Sequence, residues 1–97
     1  MHTVMLTINV NEGTSRQDML QEIEASAPEN MNIPGLIRTY FGIAEDGKSV
    51  AQIYLWQSRA DADKFFNHDW DANMSRRWLS APMSRQDWET PLVVDGK

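Results

Sequence analysis

Apolar residues recur at every second position near the start of the chain, from about Thr3 to Val10. Val4, Leu6, Ile8 and Val10 fall on one side of this alternation. A period of two that includes β-branched residues is typical of a half-buried β-strand. The pattern therefore predicts a first strand from about Thr3 to Val10, ended by a polar segment that contains a glycine.

Helical periodicity replaces the alternation after this strand. Thr14 stands three residues before Gln17, which is the spacing of a capping box. Pro28 closes the predicted helix, and the chain continues as a loop as far as Pro34. The apolar positions of the helix recur at spacings of three and four residues: Met19, Leu20, Ile23 and Ala27.

Two further apolar runs are joined by a short polar turn. The segments Gly35–Ala44 and Ser49–Gln57 are predicted to be strands. Asp46-Gly47 between them supplies the positive φ angles that a tight turn requires. The sequence therefore predicts a β-hairpin.

A second helical region follows the hairpin. Ser58 and Asp61 have capping-box spacing, and they precede a short helix that carries Ala62, Phe65 and Phe66. A further helix that ends before Pro82 is predicted from apolar residues spaced by four: Trp70, Met74 and Trp78.

The last segment, "DWETPLVVD", is predicted to be a fourth strand with Trp88, Leu92 and Val94 in phase. Pro91 places that strand at an edge or a bulge because proline lacks an N–H. The order β-α-β-β-α(α)-β predicts an α+β, ferredoxin-like split βαβ fold, with a four-stranded antiparallel sheet and helices on one face. Residues 1–97 are predicted to form a single domain.

The two faces of the hairpin differ in composition. The face expected to contact the helices is aliphatic and aromatic: Ile37, Phe41, Ile43, Ala51, Ile53 and Leu55. The opposite face is expected to carry Leu36, Arg38, Tyr40, Val50, Gln52, Tyr54 and Trp56. Monomers rarely expose such a patch, so we predict a homodimer in which two sheets face each other as a dimeric α/β barrel. The alternative is a monomer in which these aromatic residues line an open ligand groove.

Composition narrows the classes of function. The net charge of −5 and the absence of a basic stripe argue against nucleic acid as a partner. The chain has no cysteine, which excludes disulfides, zinc-thiolate sites and thiol nucleophiles. We expect no membrane span and no secretory signal, and therefore a cytoplasmic location.

The segment "GLIRTYFGIAEDGKSVAQIYLWQSRADADKFF", with Trp70 and "PLVVD" after it, resembles the YdhR-type mono-oxygenases of the dimeric α/β-barrel superfamily. The resemblance covers nearly the whole chain and is strongest from Gly35 to Phe66. It implies a dimeric barrel, and it points to a superfamily that contains cofactor-free oxygenases, haem-degrading enzymes, isomerases and cyclases.

The resemblance is partial at each catalytic pattern of the superfamily. Asn9 and Trp70 match the asparagine and tryptophan of haem-degrading relatives, but no histidine follows Trp70 to serve as the iron ligand. Phe65 stands near the position of a histidine found in quinone-forming relatives. Cyclase-like relatives carry a histidine pair spaced by three, of which His68 is present while Asp71 replaces the second.

His68 is the candidate catalytic base, because an imidazole titrates near neutral pH. The alternative is a surface residue that caps a helix. Arg38, Tyr40 and Tyr54 are candidate polar contacts for a substrate oxygen, or else residues of the dimer interface. The candidate apolar contacts are tryptophans: Trp56, Trp70 and Trp78.

The chain contains no phosphate-binding glycine loop and no dinucleotide fingerprint, so no cofactor is predicted. No metal is predicted either, because His68, Asp69 and Asp71, the conceivable ligands, would need a fourth. Together with the resemblance, these residues predict a cofactor-independent mono-oxygenase that acts on a small aromatic or polycyclic metabolite. The alternatives are a non-catalytic dimer that binds a small apolar ligand, and an isomerase or cyclase on the same scaffold.

Overall fold

A computed structural model describes residues 1–10, 13–67, 70 and 84–96. Within these ranges the chain forms four strands and two α-helices, with a short 3₁₀-helix at Ala27–Asn30. The elements in chain order are β1 (His2–Asn9), α1 (Arg16–Ser26), β2 (Leu36–Ile43), β3 (Ser49–Trp56), α2 (Arg59–Phe65) and β4 (Ser84–Glu89).

The four strands form one antiparallel sheet in the order β2-β3-β1-β4. This order places the first strand beside the third and the fourth, as in a ferredoxin-like fold. The predicted α+β architecture is therefore confirmed. Among the described residues, no helix has the length and apolar character needed to cross a membrane.

Residues with even numbers on β1 face the helices. Val4, Leu6 and Ile8 are at most 3% exposed, whereas their odd-numbered neighbours are only partly buried. Met19 of α1 and Ala62 of α2 are buried on the same side of the sheet. The hydrophobic core therefore lies between one sheet face and the helices.

The prediction of which β3 side chains contact the helices is wrong. The β3 residues that pair with the buried positions of β1 belong to the core and face the helices: Val50, Gln52, Tyr54 and Trp56. Ala51, Ile53 and Leu55 lie on the uncovered face, although they were predicted to contact the helices.

The pairing of β2 with β3 explains this error. Ile43 pairs with Val50 and Gly42 with Ala51, so residues on one face have odd numbers on one strand and even numbers on the other. The prediction for β2 is confirmed for Phe41 and Ile43, which face the helices, and for Arg38 and Tyr40, which face away.

A bulge changes the start of β2. Leu36 pairs with Trp56 and Arg38 with Leu55, so Ile37 is an extra residue in the ladder. As a result Leu36 packs against the core cluster, contrary to the prediction, and Ile37 is 41% exposed.

The helix caps and the last strand differ slightly from the sequence prediction. The cap of α1 is Ser15, whose side chain accepts a hydrogen bond from the Asp18 N–H, instead of Thr14. Ser58 caps α2 as predicted. The last strand ends at Glu89, before Pro91, and therefore excludes Leu92 and Val94. The helix predicted over Trp70, Met74 and Trp78 lies largely outside the described residues.

A polar cluster joins β4 to β1 and α2. Nε2 of the buried His2 side chain lies 2.8 Å from Oδ2 of the Asp87 carboxylate. Arg85 donates to Asp87 at 2.8 Å and to Asp63 of α2 at 3.1 Å. The hydrogen bond from Arg85 is the main reason that the pKa of Asp87 falls from 3.8 to about 2, and His2 contributes further.

The lowered pKa of Asp87 predicts a loss of stability in acid. A carboxylate whose pKa is lower in the folded state stabilises the fold above its unfolded pKa of 3.8, and this contribution disappears as pH falls through about 2. We expect Asp87→Asn to lose about 2 kcal/mol of unfolding free energy at pH 6 and progressively less toward pH 2. Urea denaturation at several pH values measures the difference from the wild type.

Asp95→Asn is the matched control for this experiment. Asp95 also pairs with an arginine, Arg38 at 3.4 Å, but its side chain is 77% exposed. Its removal should change stability little at any pH. An equal loss in both variants would contradict a specific role for the β4 cluster.

Gly35 makes a close contact that only glycine allows. Its φ is +82°, and a Cβ atom at this position would overlap the side chain of Asp61, including the Asp61 Cβ. The Asp61 carboxylate is itself held by Ser58 Oγ at 2.9 Å. The start of α2 therefore packs directly on the residue that precedes β2.

We predict that Gly35→Ala destabilises the protein by about 2–4 kcal/mol, through unfavourable φ and steric overlap together. Gly47→Ala shares the positive φ of +72° but meets no atom within 4 Å, so it should cost only about 1–2 kcal/mol. Thermal and chemical denaturation of both variants measures the difference. Equal losses would show that Asp61 moves aside without cost.

Candidate ligand-binding site

A cavity of about 120 Å³ lies between the sheet and the helical layer. It lies among the end of α1, the 3₁₀-helix, β3 and the end of α2. Seven of the described residues line it: Ser26, Glu29, Asn30, Gln52, Tyr54, Phe65 and Trp70. A cavity of this size is comparable to one that holds a single benzene ring.

Aromatic side chains form the apolar wall of the cavity. The ring of Phe65 lies 5.8 Å from that of Trp70, and Phe66 contacts Trp70 edge-on at 4.8 Å. Tyr54 contacts Phe66 edge-on at 4.9 Å and stacks on Trp56 at 6.1 Å. Offset and edge-to-face contacts of this kind stabilise a fixed arrangement of rings. The aromatic wall is therefore a packed surface built from β3, α2 and Trp70.

The polar wall contains a buried pair from β3. Gln52 and Tyr54 are two residues apart on one strand, so their side chains share a face. Each is 1% exposed, and the Tyr54 hydroxyl donates to Gln52 Oε1 at 2.6 Å. Gln52 Nε2 has no hydrogen-bond partner in the described part of the chain.

The end of α1 supplies a second amide. Asn30 Nδ2 donates to the Ser26 carbonyl oxygen at 2.9 Å, which satisfies one of the free carbonyls at the helix end. The Asn30 Oδ1 atom is buried and, within residues 1–10, 13–67, 70 and 84–96, accepts no hydrogen bond. The cavity is therefore bordered by one unused donor group and one unused acceptor.

The structure separates the sequence-predicted site residues into three groups. Tyr54 and Trp70 line the cavity, and Trp56 is fully buried behind it. Arg38 and Tyr40 lie on the opposite, uncovered face of the sheet. The remaining two candidates, His68 and Trp78, lie outside the described residues.

Arg38 and Tyr40 contact each other. Arg38 donates a hydrogen bond to the Tyr40 hydroxyl at 3.1 Å. This bond is the largest contribution to the raised pKa of Arg38, and Asp95 contributes further. Because the sheet separates them from Tyr54, these two side chains do not share the cavity with it.

Several residues of the cavity were not predicted as site residues from the sequence. Gln52 was assigned to the wrong face because of the hairpin register. Ser26 and Asn30 stand near the end of a helix, where a small or amide side chain commonly caps the helix, so the sequence carries no distinct signal for a site. Phe65 was identified as a position where relatives carry a histidine, and it lines the cavity as an apolar residue.

The haem-binding pattern is not assembled in this fold. Asn9 is exposed at the end of β1 and lies on the uncovered side of the sheet, whereas Trp70 packs against both core clusters on the helix side. The two residues that match haem-degrading relatives therefore do not meet.

No protein-family model and no curated protein matches the sequence. Solved structures of monooxygenases nevertheless share the fold. A variant of SnoaB, a cofactor-independent oxygenase from Streptomyces nogalater, superposes with a TM-score of 0.72 at 10% identity and covers 98% of this chain and 97% of that one.

Two further structures are similar. The monooxygenase from the gene ActVA-Orf6 of Streptomyces coelicolor, crystallised with nanaomycin D, has a TM-score of 0.71 at 16% identity and covers 99% of this chain and 92% of that one. A variant of MhuD with two manganese protoporphyrin IX molecules per active site has a TM-score of 0.76 at 17% identity. The match covers 99% of this chain and 100% of that one. At these identities the likeness establishes the fold alone.

Proposed function

We propose that this protein is a cofactor-independent mono-oxygenase for an electron-rich aromatic compound that binds in the cavity between sheet and helices. The observation that carries the proposal is the combination of aromatic walls with two buried amides, Gln52 and Asn30, each of which has one atom without a hydrogen bond in the described residues. Ligand sites are typically apolar cavities with a few converging polar groups. The shared fold with SnoaB and with the ActVA-Orf6 monooxygenase supports this class of reaction.

The size of the cavity limits the part of the substrate that it encloses. About 120 Å³ accommodates one aromatic ring. A phenol would enter whole, whereas a polycyclic substrate such as an anthrone would insert only its reacting ring.

The proposed reaction draws its electrons from the substrate itself. A base removes the phenolic or α-carbonyl proton, and the resulting carbanion or phenolate transfers an electron to dioxygen. The substrate radical and superoxide then combine through a C–O bond, and the peroxide takes the proton back from the base to give a hydroperoxide. The hydroperoxide loses water as its O–O bond breaks and a carbonyl forms. One dioxygen is thereby consumed for each quinone and each water produced.

His68 is the proposed base, as the sequence suggests, since an imidazole is matched to neutral pH. The described residues around the cavity contribute orientation and exclusion of water. Tyr54 is buried there and Trp70 is half-buried. The hydrogen-bonded Tyr54 and Gln52 side chains provide a polar contact for a substrate oxygen.

Oxygen uptake with anthrone and with 2,6-dimethoxyphenol tests this proposal. We expect the wild type to accelerate both reactions over buffer, to release the corresponding quinone, and to incorporate one atom from labelled dioxygen. Replacing the base by His68→Ala should lower turnover by at least tenfold without changing the melting temperature. Full turnover in His68→Ala would remove this residue from the mechanism.

A cavity-filling variant locates the reaction. Ser26 lines the cavity and is 2% exposed, so Ser26→Leu would occupy part of the space that the ring needs. We expect a large loss of turnover in a variant that remains folded. Unchanged turnover would place the reaction outside this cavity.

Binding without turnover is the second candidate function. Among the described residues that line the cavity, the ionisable side chains are those of Glu29 and Tyr54, and none is a histidine. Saturable binding of the same aromatic compounds with no oxygen uptake would establish this alternative, and formation of an isomeric product would indicate an isomerase or cyclase.

We also propose that the protein is a homodimer joined through its uncovered sheet face. The hairpin correction changes the residues on this face, which still carries six large or apolar side chains: Met5, Tyr40, Ala51, Ile53, Leu55 and Trp88. Tyr40 and Trp88 are 55% and 56% exposed in the single chain. Burial of each such aromatic side chain contributes about 1.5–3 kcal/mol, so a second copy of the sheet is a favourable cover.

Sedimentation velocity at micromolar concentration tests the dimer. We expect a particle of twice 11.1 kDa for the wild type and a monomer for Trp88→Asp, which places a charge in the proposed interface. Met31→Asp is the control, because Met31 is 69% exposed but follows the 3₁₀-helix, outside the sheet. An 11.1 kDa wild-type particle would refute the proposal.

A further inference from the structure

Gln52 presents a donor group that the fold leaves unused. Its side chain is 1% exposed and lines the cavity, and its Nε2 atom has no partner among the described residues. A buried amino group without an acceptor costs free energy. A ligand that accepts a hydrogen bond offsets the same cost, so the unpaired group indicates recognition of a ligand.

Tyr54 determines which end of the amide is available. Its hydroxyl donates to Gln52 Oε1 at 2.6 Å, so the carbonyl end of the amide is engaged and the amino end is left for the cavity. The aromatic contacts with Trp56 and Phe66 hold the Tyr54 ring in place. The polarity of the Gln52 contact is therefore fixed within the fold.

Asn30 has the opposite polarity. Its amino group is engaged with the Ser26 carbonyl oxygen at 2.9 Å, and its buried Oδ1 atom has no donor within the described ranges. Asn30 lines the same cavity as Gln52. The cavity therefore offers a donor at one residue and an acceptor at another.

We propose that the cavity selects a one-ring aromatic group that carries both an acceptor oxygen, either carbonyl or phenolate, and a separate hydroxyl. Gln52 binds the acceptor oxygen, Asn30 binds the hydroxyl, and Tyr54 is a positioning residue for the Gln52 amide. This assignment rests on the cavity proposed above as the functional site, but it concerns binding and does not depend on turnover.

Calorimetric titration with three kinds of one-ring probe tests the assignment on the full chain. Hydroxyacetophenone, in its meta and para isomers, carries both groups, acetophenone carries only the carbonyl, and ethylbenzene carries neither. We expect the better hydroxyacetophenone isomer to bind about tenfold more tightly than acetophenone, and acetophenone about tenfold more tightly than ethylbenzene.

Three variants assign each preference to its residue. Gln52→Met keeps a side chain of similar length and should remove the preference for acetophenone over ethylbenzene. Because it also removes the acceptor of the Tyr54 hydroxyl, we expect a modestly lower melting temperature in a variant that remains folded. Tyr54→Phe should reduce the same preference because the amide is no longer oriented. Asn30→Ala should remove the preference for the hydroxyl and leave the preference for the carbonyl unchanged, which provides an internal control.

The outcomes separate this inference from the proposed function. Wild-type protein that binds the three probes equally, or Gln52→Met that keeps the full carbonyl preference, would overturn the inference even if anthrone is oxidised. Conversely, the expected preferences together with no oxygen uptake would support the inference and reject the mono-oxygenase.

Discussion

The pairing of the two hairpin strands is the constraint on which the candidate site depends. Ile43 opposite Val50 places Gln52 and Tyr54 on the helix side, where α1 and α2 cover them. A register shifted by one residue would move both side chains to the uncovered face and replace them with Ala51 and Ile53. The cavity would then lack its buried amide.

Much of the fold follows from local sequence signals. Alternation in β1, the Ser58–Asp61 cap and the Asp46-Gly47 turn each identify an element, and the order of elements identifies the topology. The face of β3 was not determined in this way. Both of its faces carry apolar residues, because Ala51, Ile53 and Leu55 also suit a core, so composition alone favoured the wrong side.

The candidate site was less predictable because its polar residues have ordinary structural explanations. Asn30 is at the end of a helix, and Gln52 is a polar residue within a strand, which usually indicates solvent exposure. Only the fold brings them to one cavity. Tyr54 and Trp70 were predicted as contacts on their residue type, and their place in the cavity was revealed by the packing of β3 against α2.

The two faces of β3 have distinct physical roles. On the helix side, the aromatic cluster fixes the Tyr54 ring, and the Tyr54–Gln52 hydrogen bond fixes an amide that remains partly unsatisfied. On the other side, Ile53 and Leu55 extend an apolar surface across three strands. β3 carries both the buried Gln52 amide and part of the uncovered apolar face. If the sheet of a second copy packed on that face and restricted the motion of β3, it would also hold the Gln52 amide in position. In the proposed dimer, the eight residues of β3 would therefore connect the proposed ligand contact with the proposed interface.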